Sequence, residues 1–562
     1  MFDSDKEIGE SLDPTSKPKS NLKLYVIIGV SVVVVVAIVV TVILLTRGDD
    51  DSKNNEDIKT HLSNIPLPED IIIDDGHYMF DGNIFICYKR STTNFTYFGV
   101  ISDDGKNFKE LYGEEFIVSP LANGIRLIPF RDGKRIYLGD FVFECNDTTK
   151  TISSCEKGVL IPVNYPKEVV NNNYTYKTWS EMVVAPDNIH VAWTSLNMAC
   201  GAVDFLGKFK RTENSYEIEE SKIISTINFV EPDPTDESIL ITKIPRGGEI
   251  KQFIEGGNAL TLVGTQPDEF VKSVYQSLKT EEVYTYSHEP GYDETSILSP
   301  DEKLGITMST RFSPKTNMAI FGLMPRPHCS LVLAKIVESV YTYAVTNVRK
   351  TRKGNVGPVL FVKEKSINDP NYHGIDLHDT EEKFVFCSPI SWHPSNLKAI
   401  WPEVEKGTSN RRLRKLEISN YTPSAYPKIE NTTDNVPYAL EMSEMDNIHF
   451  DQKTNGTIKG KKSGEIIYYN SGRNETHQTV KITYVNYSDD GKKFYNGEEE
   501  FIGDRTSKNI YKSNVFLSGS ESGQNNFTIT FNTKSDLIKE ETEGYATYGG
   551  KTIRAKGINS SK

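Results

Sequence analysis

A short phrase recurs along this chain: a turn built on Pro or Asp-Gly, one basic or polar residue, then a brief hydrophobic strand. It reads Arg131-Asp132-Gly133-Lys134-Arg135-Ile136-Tyr137, Ala185-Pro186-Asp187-Asn188-Ile189-His190-Val191, Ser299-Pro300-Asp301-Glu302-Lys303-Leu304 and Trp392-His393-Pro394-Ser395-Asn396-Leu397-Lys398. Related forms occur at Ser102–Phe108, Pro232–Ile239 and Ser488–Phe494. Pro-Asp and Asp-Gly close tight turns between adjacent strands. Centred on residues 132, 187, 235, 301, 393 and 489, the copies lie about 50 residues apart or about twice that. A period of that length holds four short strands, and such units bury both faces only by stacking on one another, as in a closed ring.

The rest of the chain reads the same way. Ile84-Phe85-Ile86-Cys87-Tyr88, Val191-Ala192-Trp193-Thr194, Ile239-Leu240-Ile241-Thr242 and Ile466-Ile467-Tyr468-Tyr469 are β-branched or aromatic runs bounded by turn residues. One amphipathic helix is expected over Asp268 to Lys279, where Phe270, Val274 and Leu278 recur at i, i+4 and i+8 after Pro267. The fold class is mainly β: a propeller of six to eight four-stranded blades, with an array of β-sandwiches as the alternative.

An uninterrupted apolar run, Leu24 to Leu45, carries no charge. At about 1.5 Å per residue it makes a helix of roughly 33 Å, enough to cross a bilayer core of about 30 Å. It follows a hydrophilic stretch and is too long for a typical leader core, so an uncleaved signal anchor is expected. Lys17, Lys19 and Lys23 before it favour a cytosolic N-terminus. Beyond it stand ten Asn-x-Ser/Thr acceptors, Asn94, Asn146, Asn173, Asn420, Asn431, Asn455, Asn474, Asn486, Asn526 and Asn559, an excess that points to a lumenal or extracellular domain. The expected order is a cytosolic tail (1–23), a transmembrane anchor (24–46), an acidic stalk (47–70), a propeller ectodomain (71–540) and a polar C-terminal tail (541–562). The address is a single-pass membrane protein of the cell surface or secretory pathway.

All six cysteines also follow the run, where an oxidising compartment permits bridges. Cys145 and Cys155 flank the turn Asn146-Asp147-Thr148-Thr149 and are expected to pair; Cys87, Cys200, Cys329 and Cys387 are left unassigned. A net charge of −13 argues against nucleic acid as a partner. The basic clusters Arg349–Lys353 and Arg411–Lys415 are read as solvated loops or strand edges.

The turn-and-strand phrase resembles the blade signature of TolB-type, WD-repeat-like propellers, Ser-Pro-Asp-Gly-Lys followed by a strand, over roughly residues 75 to 500. Ser299 to Ile306 matches best, with Glu302 in place of Gly. An anchor followed by a propeller also looks like the front half of the membrane dipeptidyl peptidases, but Gly519-Ser520-Glu521-Ser522-Gly523 puts Glu521 where their nucleophile would stand. His-Glu-x-x-His, a Walker loop and Cys-x-x-Cys are absent.

No catalytic set is legible, and a binding protein for a protein or carbohydrate ligand is the leading expectation. Functional side chains concentrate between residues 288 and 403, where Arg311, Arg326, His328, Trp392, Trp401 and Glu403 are candidate ligand-binding residues. The alternative is a metal-assisted polysaccharide lyase or hydrolase at the propeller mouth. In it His373, His378 and His393 would ligate a divalent metal, as the resemblance to oligogalacturonate lyases implies.

Overall fold

The computed structural model describes residues 58–559 except 94, 115–124, 171–174, 198–200, 228, 267–269, 314–317, 348–355, 379–382, 409, 449–452, 473–476 and 505. The apolar run Leu24–Leu45 lies outside the described residues, among which no helix is long and apolar enough to cross a membrane. Contacts separate Met1–Lys59 with Asn420–Thr422 from Thr60–Ser419 with Pro423–Lys562, and the architecture below belongs to the second unit.

Each blade begins with an innermost strand and reverses at a tight turn. Four of those six turns carry the recurring phrase. The third turn residue is left-handed in all six blades: Gly82 (φ 84°), Gly133 (68°), Asn188 (63°), Gly256 (65°), Glu302 (57°) and Asn396 (62°). Asn tolerates this conformation and Glu does not without cost. Both types recover it across the blade boundary. Asn188 Oδ1 accepts the Asp132 N–H at 3.0 Å, Asn396 Oδ1 accepts the Asp301 N–H at 2.8 Å, and Glu302 Oε1 accepts the Glu255 N–H at 2.6 Å. The Glu that breaks the Pro-Asp-Gly pattern is therefore a tie to the neighbouring blade.

The innermost strands are Ile71–Tyr78, Ile128–Pro129, Thr175–Val184, Glu249–Ile254, Asp293–Leu298 and the pair Phe384–Phe386 with Ser391–Trp392. Neighbouring blades touch in order, and Ile71–Tyr78 touches Lys398–Glu405 of the last, which closes a six-bladed ring. The outermost strand of the sixth blade is Lys59–Asn64, hydrogen-bonded to Arg411–Ser419. These residues were expected in the stalk. Ile65 is buried and its N–H bonds Leu413 O at 2.9 Å, so an edge position, exposed at Lys59, His61 and Asn64, accommodates the polar sequence Lys59-Thr60-His61-Leu62-Ser63-Asn64.

Two excursions leave the ring. The hairpin Val230–Asp233 with Asp236–Thr242 joins the third blade to the fourth, and the helix Leu331–Tyr341 lies between the second and third strands of the fifth, Leu304–Ser309 and Gly357–Val362. Ser330 caps that helix, its Oγ accepting the Leu333 N–H at 3.1 Å. Val332, Leu333, Ile336 and Val340 form its buried face.

The propeller ends at Ser419, not at residue 540. Thr454–Lys459 begins a meander of eight antiparallel strands, extended at one edge by the excursion hairpin to make a ten-stranded sheet. Glu543–Tyr548 and Lys551–Arg554, expected as a tail, complete it. Burial explains why this segment is no blade. Thr96–Ile101, Val271–Ser277, Leu304–Ser309 and Gly357–Val362 are buried along their whole length because blades cover both faces. In Lys508–Gly519 buried residues alternate with exposed ones, the pattern of a sheet with one covered face.

The expected helix at Asp268 to Lys279 is the strand Val271–Ser277. Apolar spacings of four and eight fit a period of two as well as one of 3.6, and the strand's position between two others decided it. Cys145 and Cys155 are bonded, with Cα atoms 5.5 Å apart. Cys87 and Cys387 are free thiols, Cys329 Sγ lies 3.3 Å from Thr265 O, and Cys200 lies outside the described residues.

The turn ties make a prediction. Asn396→Ala loses both the left-handed fit and the bond to Asp301 and is expected to cost about 2 kcal/mol, whereas Asn396→Gly keeps the fit and costs about 1 kcal/mol. Urea midpoints at unchanged slope measure the difference.

Candidate functional site

The side chains concentrated between residues 288 and 403 are mostly ties within the scaffold. Arg311 Nη2 lies 2.7 Å from Asp293 Oδ2, with Lys272 Nζ at 3.0 Å from the same oxygen. Arg326 is buried against Glu499 of the C-terminal sheet, and the His328 ring bonds the Tyr487 hydroxyl. Trp392 Nε1 donates to Ile297 O of the fifth blade at 2.9 Å. Trp401 Nε1 donates to Glu403 at 3.0 Å, and Glu403 also holds Arg412 within the sixth blade. A guanidinium suits such joints because it satisfies several acceptors at once, as Arg326 does with Glu499, Phe321 O and the Tyr511 hydroxyl, whereas each indole supplies a single N–H.

The three histidines expected around a metal do not converge. His373 pairs with Glu289, His378 with Asp376, and His393 accepts the Ser395 N–H at 3.0 Å while its ring stacks edge-on to Tyr78 with centroids 4.9 Å apart. Among the described residues no group of three or more His, Cys, Asp or Glu is placed to hold a metal ion. The spacing of residues in the chain carried no information about which loop each would reach.

A cavity of about 720 Å3 lies between one face of the ring and the C-terminal sheet. That volume is in the range of small-molecule sites. Its floor is the propeller: Thr194, Gly247, Gly248, Glu249, Tyr292 and Glu294. One wall is the helix, through Ala334, Lys335, Glu338 and Tyr341; another is the sheet, through Tyr468, Asn470, Gln478, Phe501 and Asn509; the hairpin supplies Glu231, Pro232, Glu237 and Leu240.

The floor is shaped by a close approach of backbone. A Cβ on Gly248 (φ +150°) would stand 1.9 Å from Val263 O, so only glycine lets the chain pass there. Asp204 fastens the crossing, accepting the Gly248 N–H at 3.1 Å and the Thr194 and Ser225 hydroxyls at 2.7 and 2.5 Å. Burial pushes the Asp204 carboxyl up to about 7, against the pull of those three donors. Tyr292 donates to Glu294 at 2.6 Å with both residues buried, and Glu249 pairs with Lys251 at 3.0 Å. The arrangement offers carboxylates on the floor, cations at Arg246, Lys335 and Lys453, and aromatic rings between them. Such a lining has the chemical character of small-molecule sites, in which a few polar groups stand among apolar and aromatic ones.

None of these residues stood out in the sequence by motif. The available signals were the Gly247-Gly248 pair and the polar Thr194, Asp204, Asn470 and Gln478 inside otherwise hydrophobic strands.

No family model matches the chain, and no curated protein matches it. Among solved structures, it is similar to a putative TolB from Agrobacterium tumefaciens at 7% identity and a TM-score of 0.32, over 63% of this chain and 88% of that one. Oligogalacturonate lyase from Vibrio parahaemolyticus aligns at 8% identity and a TM-score of 0.35, over 64% and 96%. Prolyl oligopeptidase B from Galerina marginata aligns at 7% identity and a TM-score of 0.29 over 74% of this chain, which spans only 47% of that enzyme. The assignment of a propeller rests on the sheet order and the ring contacts described above.

Proposed function

We propose that this chain is a membrane-anchored, glycosylated propeller protein that binds a protein or carbohydrate ligand in the cavity between its ring and its C-terminal sheet. The observation that carries the binding reading is that cavity of about 720 Å3, floored by the buried Tyr292–Glu294 pair. Support for the anchor is the uncharged run Leu24–Leu45. Support for a lumenal or extracellular address is the exposure of every acceptor whose side chain is described: Asn146, Asn420, Asn431, Asn455, Asn486 and Asn526. Asn94, Asn173, Asn474 and the side chain of Asn559 lie outside the described residues.

The test uses the full-length chain in detergent against glycan and peptide libraries, beside Ala334→Trp, which fills the cavity from the helix wall. Binding that falls at least about tenfold in Ala334→Trp is expected. Ligands that bind Ala334→Trp and Glu294→Gln as tightly as the parent would exclude the cavity. For the address, a loss of mass on endoglycosidase treatment of protein from a eukaryotic host is expected. An unchanged mass would remove the glycoprotein reading.

A further inference from the structure

The strands that begin in the large cavity end in a second, smaller space. Glu249–Ile254 and Asp293–Leu298 run from one to the other, and the six blades together enclose about 220 Å3 at the axis of the ring. Met79, Ile128, Val183, Phe253, Ile297 and Trp392, one from each blade, make its wall apolar.

Its charged and polar groups are unequally satisfied. Lys251 is paired with Glu249, and Glu302 is held by the Glu255 N–H. His77 Nδ1 donates to Tyr78 O at 2.9 Å, and burial pulls the ring down to about 4, so it is neutral. Two groups differ. The Thr295 hydroxyl is buried with no hydrogen-bond partner, on a β-branched residue held at φ 53°. Arg131 stands at the mouth with its guanidinium carbon 5.0 Å from the Phe80 ring centre and 5.5 Å from that of Tyr426, and among the described residues it has no carboxylate and no hydrogen-bond acceptor. Burial works against its charge. Lys251, the other cation lining this space, has an anion; Arg131 is held between two rings instead. A planar fork is matched by a carboxylate, which takes two parallel N–H bonds and restores the missing counter-ion.

We propose that the axial channel is a second binding site, for a small apolar carboxylate whose oxygens are held by Arg131 and whose body packs against the six-blade wall. The free acid and the C-terminus of a peptide share this chemistry.

The test is calorimetric titration of the full-length chain in detergent with acetate, hexanoate, phenylacetate and phenylacetamide. Hexanoate or phenylacetate is expected to bind at least about tenfold more tightly than acetate, which lacks a body, and phenylacetate at least about tenfold more tightly than its neutral amide. Arg131→Gln is expected to abolish the preference for acid over amide, and Arg131→Lys to keep part of it. The parent comparison needs no variant to fold. A tripeptide ending in phenylalanine and its C-terminal amide then separate the sources: binding of the free-acid peptide alone assigns a chain terminus, and exclusion of both peptides assigns the free acid. Equal binding of phenylacetate and phenylacetamide, an unchanged preference in Arg131→Gln, or no acid bound below about 10 mM would overturn the proposal. Ala334→Trp, which blocks the large cavity, leaves the expected result unchanged, so the two sites fail or stand separately.

Discussion

Glu499→Ala is expected to lower the unfolding free energy by about 3–5 kcal/mol, the cost of leaving a buried guanidinium without its anion. Arg326, carried on the excursion from the fifth blade, meets both Glu499 oxygens from Nε and Nη2 at 2.9–3.2 Å. Tyr511 and Ser513 donate to the same carboxylate at 2.8 and 2.9 Å, and both charged residues are almost fully buried. This network is the polar clamp between the propeller and the C-terminal sheet. Because desolvation is already part of the folded pair, the double variant Arg326→Met with Glu499→Met is expected to recover most of the loss. Urea denaturation of the parent, the single variant and the double variant measures the coupling. A double variant no more stable than Glu499→Ala would show that geometry, not charge, is what the pair contributes.

Asp293→Asn is expected to cost at least as much, about 3–5 kcal/mol, because it strands two cations at once. Lys272 is completely buried, the Arg311 side chain nearly so, and both point at Asp293 Oδ2, which also accepts the Ser287 hydroxyl at 2.6 Å. The joint locks the fourth blade to the fifth. Lys272→Met, which leaves the Arg311 pair intact, is expected to cost less than half as much. Thermal unfolding compares the two, and a Lys272→Met penalty equal to that of Asp293→Asn would reverse the assignment of the main partner.

Acid acts on both joints in the same direction. Burial alone would raise the Asp293 and Glu499 carboxyls, but Arg311 with Lys272 and Arg326 more than offset it, and both lie below the ordinary carboxylate range. A carboxyl depressed in the folded state contributes stability above its unfolded value, near about 4, and loses it as pH falls through the folded value. In Asp293→Asn and Glu499→Ala the corresponding part of the acid-side slope is expected to disappear.

The recurring turn phrase located four of the six turns between first and second blade strands, because a left-handed third residue restricts which amino acids can stand there. The copies at 102–108, 232–239 and 488–494 were turns of other hairpins, since Asp-Gly and Pro-Asp report a local reversal and not the sheet it belongs to. Blade number was obscured by the excursions after the third blade and within the fifth, which stretch the spacing between turns. In Lys508–Gly519 burial alternates but residue type does not follow it, since Ser513 is buried and Phe516 exposed, so the sequence alone did not separate this half-covered sheet from the blades. Arg326 and Trp392 were expected as candidate ligand-binding residues and are found tying two elements together; a guanidinium or indole in either role has the same sequence appearance.

The amino-acid order by itself determined the mainly β class, the repeated turn, the pairing of Cys145 with Cys155 and the uncharged run near the N-terminus. Each of these depends on residues close together in the chain, through periodicity, turn conformation or a short covalent loop. Only the tertiary structure decided that the ring has six blades closed by Lys59–Asn64, that the last eight strands form a separate sheet, and that a cavity and an axial channel lie on opposite ends of the same inner strands. Those features arise where segments such as Thr194, Gly248, Glu294 and Gln478, or Arg131, Phe80 and Tyr426, are brought together from distant parts of the sequence. No local pattern encodes that proximity, because it is set by how whole blades pack and which edges are left to pair.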